Sequence, residues 1–122
     1  MRDSRFLDAR ILIVDDEESN VRALRKLLHA AGYTHVFETT DPQQVRTLYR
    51  EHDPDLVLLD LNMPGLDGIG VLEQLRTDVL PQVYLPVLVL TGDRSQDARR
   101  RALTAGAKDF ITKPFEIGRA HV

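Results

Sequence analysis

The strongest constraint on the fold is a series of short apolar runs separated by segments with helical periodicity. The runs are apolar throughout instead of alternating with polar residues, which is typical of strands covered on both faces. Such strands form parallel sheets, in which helices connect one strand to the next and pack on the sheet. The sequence therefore predicts an α/β fold with a doubly wound, open parallel sheet. The predicted strands are centred on residues 11–14, 36–37, 56–59, 87–90 and 110–111.

Turn and capping residues indicate where the intervening helices begin and end. Gly32 and Gly106 each follow a helical segment and predict its C-terminal end. Asp41 followed by Pro42 predicts a helix start, with the aspartate as N-cap and the proline in the first turn. The apolar residues at helical spacing are Val21, Leu24, Leu27, Leu28 and Ala31; Val45, Leu48 and Tyr49; Ile69, Leu72 and Leu75; and Ala98, Ala102 and Ala105.

Length and composition restrict the class of protein. The 122 residues fit one domain, which we place at residues 10–122, after an N-terminal extension of residues 1–9. The chain has no cysteine, which excludes disulfides, thiolate zinc sites and iron–sulfur clusters. Its net charge of −3 argues against direct binding of nucleic acid. We expect neither a secretory signal nor a membrane-spanning segment, and a cytoplasmic location.

Polar side chains follow four of the predicted strands. Asp15 and Asp16 come after the first, Asp60 after the third, Thr91 after the fourth and Lys113 after the fifth. Ligands of open parallel sheets bind beyond the carboxyl ends of the strands, so these side chains are the candidate site. Three crowded carboxylates repel one another unless a proton or a cation intervenes. Because the candidate ligands are all oxygens, Mg²⁺ is the cation that the sequence predicts.

Each of these residues also has a purely structural interpretation. Asp15 and Asp16 could cap the helix that follows, and Asp60 could serve the turn at residues 61–65. A strand-end Thr91 and a solvated Lys113 are ordinary features of proteins. The functional interpretation depends on the combination, since complementary groups from four strands converge on one edge of the sheet.

Four segments resemble the receiver domain of two-component response regulators. They are ILIVDDE at residues 11–17, LVLLDLNMPGLDG at 56–68, PVLVLTG at 86–92 and GAKDFITKPF at 106–115. The resemblance covers about residues 10–115 and implies a flavodoxin-like sheet of five strands in the order 2-1-3-4-5. Seven residues follow Phe115, so we expect a shortened last helix and a chain that is part of a longer protein.

The resemblance implies that Asp60 is the phosphoacceptor, which takes a phosphoryl group from a phosphohistidine. It implies that Asp16, Asp60 and the backbone carbonyl of Asn62 bind Mg²⁺, and that Asp15 holds a metal-bound water. These roles agree with the chemistry, because a weak carboxylate nucleophile needs the phosphoryl charge neutralised and the reacting atoms aligned.

The resemblance also implies a switch. Lys113 would pair with the phosphoryl group and Thr91 would hydrogen-bond to one of its oxygens. Thr91 and Phe110 would then change position on phosphorylation and alter the adjacent surface. A core phenylalanine in the last strand is the structural alternative for Phe110.

The implied partners are a sensor histidine kinase or phosphotransfer protein and an output domain, fused or separate; a homodimer is left open. The chain would catalyse only its own phosphorylation and slow dephosphorylation, without turnover of a small molecule. A receiver-like interaction module that works without phosphorylation is one alternative. A flavodoxin-like flavin enzyme is another, which the acidic run at residues 15–18 disfavours because it would repel a phosphate. Residues 84–90 and 107–115 also resemble receivers joined to HD-GYP cyclic di-GMP phosphodiesterases.

Overall fold

The computed structural model describes residues 7–60, 68–79, 85–91 and 96–112. A short 3₁₀ helix precedes the second α-helix. The strands are β1 (Arg10–Val14), β2 (His35–Thr39), β3 (Leu56–Asp60), β4 (Val87–Thr91) and β5 (Asp109–Thr112). The helices are α1 (Glu18–Ala30), the 3₁₀ helix (Pro42–Gln44), α2 (Val45–His52), α3 (Gly68–Val79) and α4 (Gln96–Thr104).

The strands form one parallel sheet in the order β2-β1-β3-β4-β5. The predicted doubly wound α/β fold, with the order 2-1-3-4 among the first four strands, is confirmed. In the register of the sheet Val14 lies opposite Leu59, and Asp60 lies opposite Leu90. This register aligns the carboxyl ends of the strands along one edge. The shortened last helix predicted after Phe115 lies outside the described residues.

The two faces of the sheet carry separate hydrophobic clusters, because alternate residues of a strand point to opposite faces. Leu12 and Val14 belong to the cluster under α2, α3 and α4, whereas Ile11 and Ile13 belong to the cluster under α1. Helices therefore cover both faces, as a doubly wound sheet requires. The buried helical residues are Val21 and Leu24 from α1, Val45 from α2, Val71, Leu72 and Leu75 from α3, and Ala102 from α4.

The predicted helix boundaries are confirmed at three points. Gly32 and Gly106 have φ angles of 104° and 117°, which only glycine adopts without strain. Asp41 is an N-cap whose side chain accepts a hydrogen bond from the backbone N–H of Gln43, at 2.9 Å. Pro42 opens the short 3₁₀ helix there. Within the described residues, the longest helix is α1 with 13 residues, and none has the length and apolar character needed to cross a bilayer.

Strand β2 differs from the sequence prediction, because none of its residues is buried. It stands at the edge of the sheet with β1 as its neighbour, so only part of its surface is covered. Arg25 of α1 forms an ion pair with Glu38 of β2. Val36 and Phe37 pack, partly buried, against the two clusters, so the predicted cover on both faces is incomplete for this strand, while β1 and β3 are buried along four of their five residues.

A cluster of complementary groups holds the amino end of the sheet together; we call it the amino-end cluster and define it as Arg10, Phe37, His52 and Asp55. The backbone N–H of Arg10 donates to Oδ2 of Asp55 at 2.9 Å, and Nε of Arg10 donates to the carbonyl of His52 at 2.5 Å. The Arg10 guanidinium lies 5.3 Å from the centre of the Phe37 ring, which stacks on the His52 ring at 3.9 Å. These contacts join β1, β2, α2 and the start of β3.

Candidate functional site

The ends of β1 and β3 bring two buried carboxylates together. Asp60 is the last residue of β3, and Asp15 follows β1 directly. Because Val14 pairs with Leu59, Asp15 and Asp60 occupy neighbouring positions at the carboxyl edge of the sheet. Asp15 is fully buried and Asp60 is 2% exposed. Burial at a strand end is unusual for an aspartate, since such a charge must be compensated by hydrogen bonds or a cation.

Asp16 completes a group of three carboxylates. One oxygen from each of Asp15, Asp16 and Asp60 lies within 4.8 Å of the others. Oxygens at this spacing are close enough for more than one of them to bind the same Mg²⁺ ion. The donors are all hard carboxylate oxygens, which Mg²⁺ prefers. The chemistry and spacing of these residues therefore fit the cation that the sequence predicts.

The loop between β1 and α1 holds Asp15 in place. Its Oδ1 accepts a hydrogen bond from the backbone N–H of Glu17 at 2.9 Å and one from Nδ2 of Asn20 at 3.5 Å. The N-cap of α1 is Glu17, which makes no side-chain capping bond. Asp15 thus closes the loop before the helix instead of capping its first turn. The positive end of the helix dipole stabilises the nearby carboxylates.

Asn20 was not among the predicted site residues. It lies in the first turn of α1 and is half-buried. The sequence carries no local signal for it, because its contact with Asp15 depends on how the loop turns before α1.

Of the other predicted site residues, Thr91 and Phe110 are placed only by their backbones. Thr91 ends β4, one position beyond Leu90, the residue that pairs with Asp60. Phe110 lies in β5 opposite Val89. The side chains of these two residues, and all of Asn62 and Lys113, lie outside what the structure describes. Thr112, the last described residue, pairs with Thr91 at the end of β5.

Comparison with known proteins agrees with this geometry. Residues 11–121 match the family model described as "Response regulator receiver domain". Relatives include the sensory/regulatory protein RpfC of Xanthomonas campestris, 38% identical over 91% of this chain and 15% of RpfC. The response regulator PleD of Caulobacter vibrioides is 38% identical over 90% of this chain and 24% of PleD. The transcriptional regulatory protein KdpE of Mycobacterium tuberculosis is 40% identical over 86% of this chain and 44% of KdpE.

A solved structure gives the same result. The chemotaxis protein CheY4 of Vibrio cholerae superposes with a TM-score of 0.82 at 27% identity, covering 89% of both chains. The chain spans less than half the length of the curated relatives named above.

Proposed function

The chain belongs to the family of response regulator receiver domains, and from this premise we propose that it accepts a phosphoryl group on Asp60. The donor is a phosphohistidine on a sensor histidine kinase or phosphotransfer protein. A carboxylate oxygen of Asp60 forms a bond to phosphorus while the phosphorus–nitrogen bond to the donor breaks. The imidazole leaves with the electron pair, and the product is an aspartyl phosphate. The observation that carries this proposal is the burial of Asp60 at a strand end beside two other carboxylates.

The three carboxylates need a cation before a dianionic phosphoryl group can bind at the site. Asp16, Asp60 and the backbone carbonyl of Asn62 would hold Mg²⁺, and Asp15 would hold a metal-bound water. When bound, Mg²⁺ supplies the positive charge that offsets the phosphoryl oxygens. Without a cation the three carboxylates would repel an approaching phosphoryl group. The requirement for Mg²⁺ therefore follows from the charge of the site.

Thr91 and Lys113 contact the phosphoryl oxygens. Thr91 and Phe110 change position on phosphorylation, and this change alters the adjacent surface. Thr91 ends the strand next to Asp60, and Phe110 lies in the strand beyond it. Phosphorylation adds roughly two negative charges, which favour one of two arrangements of these side chains. The altered surface controls an output domain or a separate partner. The module has no small-molecule turnover of its own.

The test compares two charge-removing substitutions with similar shape. The wild type, Asp60→Asn and Asp55→Asn are incubated with acetyl phosphate and Mg²⁺, and the intact mass of each is measured. We expect one added phosphoryl group on the wild type and on Asp55→Asn, and none on Asp60→Asn. Equal labelling of the wild type and Asp60→Asn would reject Asp60 as the acceptor. A wild type that is labelled by neither acetyl phosphate nor a phosphorylated kinase would instead establish an interaction module that works without phosphorylation.

A further inference from the structure

We infer that Asn20 is a positioning residue for the metal site, which acts by fixing the orientation of the Asp15 carboxylate. This inference rests on the proposed function, because it concerns the same Mg²⁺ site. Asn20 donates from Nδ2 to Oδ1 of Asp15, across the loop that joins β1 to α1. No role at the site follows for Asn20 from the sequence pattern alone.

The geometry explains how one amide can set the direction of a carboxylate. The Glu17 N–H and the Asn20 side chain both donate to Oδ1 of Asp15. A carboxylate is planar and rigid, so fixing Oδ1 from two directions also fixes the direction of Oδ2. Asp15 is fully buried, and its position beside Asp16 and Asp60 makes that direction decisive for a shared cation.

Helix α1 holds the backbone of Asn20 in a fixed position. The next residue, Val21, and Leu24 one turn later are both buried in the cluster on that face of the sheet. The backbone N–H of Asn20 also bonds to the carbonyl of Glu17 at 3.0 Å, which fixes the first turn. The amide is therefore held by the same loop and helix that shape the site.

The neutral charge of the amide suits this position. A lysine or arginine at residue 20 could also donate to Asp15, but its positive charge would compete with Mg²⁺ for the carboxylates. An aspartate would add a fourth negative charge and remove the donor. Asparagine donates a hydrogen bond without changing the charge that the cation experiences. Residues that orient the groups around a bound metal commonly alter metal affinity or activity by about 10- to 100-fold.

The experiment measures Mg²⁺ affinity on the unphosphorylated chain by isothermal titration calorimetry, for the wild type, Asn20→Ala, Asn20→Lys and Ser19→Ala. Since the Asn20 contact is long at 3.5 Å, we expect Asn20→Ala to weaken Mg²⁺ binding about tenfold, the lower end of that range. Asn20→Lys should weaken it further, although lysine retains a donor. Ser19→Ala changes an exposed neighbour in the same turn and should bind Mg²⁺ as the wild type does.

Two further readouts separate positioning from a general structural role. Alanine has a higher helix propensity than asparagine, so Asn20→Ala should melt at or above the wild-type temperature. In acetyl phosphate labelling, the Mg²⁺ concentration at half-maximal rate should rise for Asn20→Ala, with a much smaller change in the maximal rate. A lowered melting temperature together with a lowered maximal rate would contradict positioning and indicate a structural role.

Asp16→Ala and Asp60→Asn distinguish failure of this inference from failure of the proposed function. If Asp16→Ala loses Mg²⁺ binding and Asp60→Asn loses labelling while Asn20→Ala and Asn20→Lys bind Mg²⁺ normally, only the role of Asn20 is rejected. If Asp16→Ala binds Mg²⁺ as the wild type does, the metal site itself is rejected, and the inference about Asn20 falls with it.

Discussion

The amino and carboxyl ends of the sheet differ in the contacts that their charged side chains make. At the amino end, Arg10 donates hydrogen bonds to Asp55 and to the carbonyl of His52, and its guanidinium lies over the Phe37 ring. At the carboxyl end, Asp15, Asp16 and Asp60 bring three carboxylate oxygens within 4.8 Å of one another. At the first end the charged side chains contact backbone groups and an aromatic ring, whereas at the second end like charges lie close together.

This difference suggests a division between a part of the fold that stabilises the chain and a part whose carboxylates could hold a cation. The contacts of the amino-end cluster are complete within the chain and favour the folded state directly. The carboxylates at the other end repel one another, and we expect a bound cation to offset this repulsion. A like-charge group that is buried at the ligand-binding edge of an α/β sheet is therefore expected to serve binding. Stability measurements can test this division directly.

The largest expected effect is stabilisation by Mg²⁺. At a concentration of 100 times the dissociation constant, a ligand that binds only the folded state adds about 2.7 kcal/mol to the free energy of unfolding. Asp16→Ala should lose most of this gain, because it removes one of the ligands. Arg10→Ala should keep the full gain, because its contacts lie at the other end. Urea unfolding with and without Mg²⁺ measures both, and a full gain in Asp16→Ala would contradict the division.

The next effect concerns the amino-end cluster. Arg10→Ala should lower the free energy of unfolding of the metal-free protein by about 2 kcal/mol, because a charged hydrogen bond and a contact with an aromatic face are lost. Arg10→Lys keeps the charge but not the Nε donor, so it should recover only part of the loss. Both values come from urea titrations followed by circular dichroism. An Arg10→Ala variant as stable as the wild type would show that the cluster adds nothing.

The smallest expected effect is a change in the free energy of unfolding whose sign differs between the two ends of the sheet. Without Mg²⁺, Asp60→Asn should raise the free energy of unfolding by about 1 kcal/mol, because it relieves repulsion among the carboxylates. Asp55→Asn should lower it by about 0.5 kcal/mol, because the acceptor of the Arg10 N–H loses its charge. Both substitutions keep the side-chain shape, so packing is matched. If both variants changed the free energy of unfolding with the same sign, charge would not distinguish the two ends of the sheet.

Much of the fold could be predicted because it depends on local patterns. The apolar runs predict β1 and β3, and Gly32 and Gly106 mark the ends of α1 and α4 through their positive φ angles. The exposure of β2 was not predicted, although its apolar run covers only Val36 and Phe37. A run of apolar residues does not reveal how many neighbours a strand has, because neighbours are fixed by the arrangement of the whole sheet.

Prediction of the candidate site from the sequence has the same limit, here for contacts between individual side chains. Asp15, Asp16 and Asp60 could be predicted, because parallel strands place their carboxyl ends at a common edge. The contact between Asn20 and Asp15 could not, because it depends on how the loop turns before α1. The stacking of His52 on Phe37 likewise joins residues from α2 and β2, and neither residue carries a local pattern that indicates the other.

The exposed edge strand β2 also bears on how the chain avoids aggregation. An edge strand presents backbone groups that can pair with a strand from another molecule, which extends the sheet without limit. Here Arg25 Nη1 donates to both carboxylate oxygens of Glu38 on that strand, and this hydrogen bonding raises the pKa of Arg25, so the pair stays charged as the pH rises. An incoming strand would have to remove water from both charges before it could pair. Charged side chains on an edge strand are one of the features that discourage pairing with a strand of another molecule.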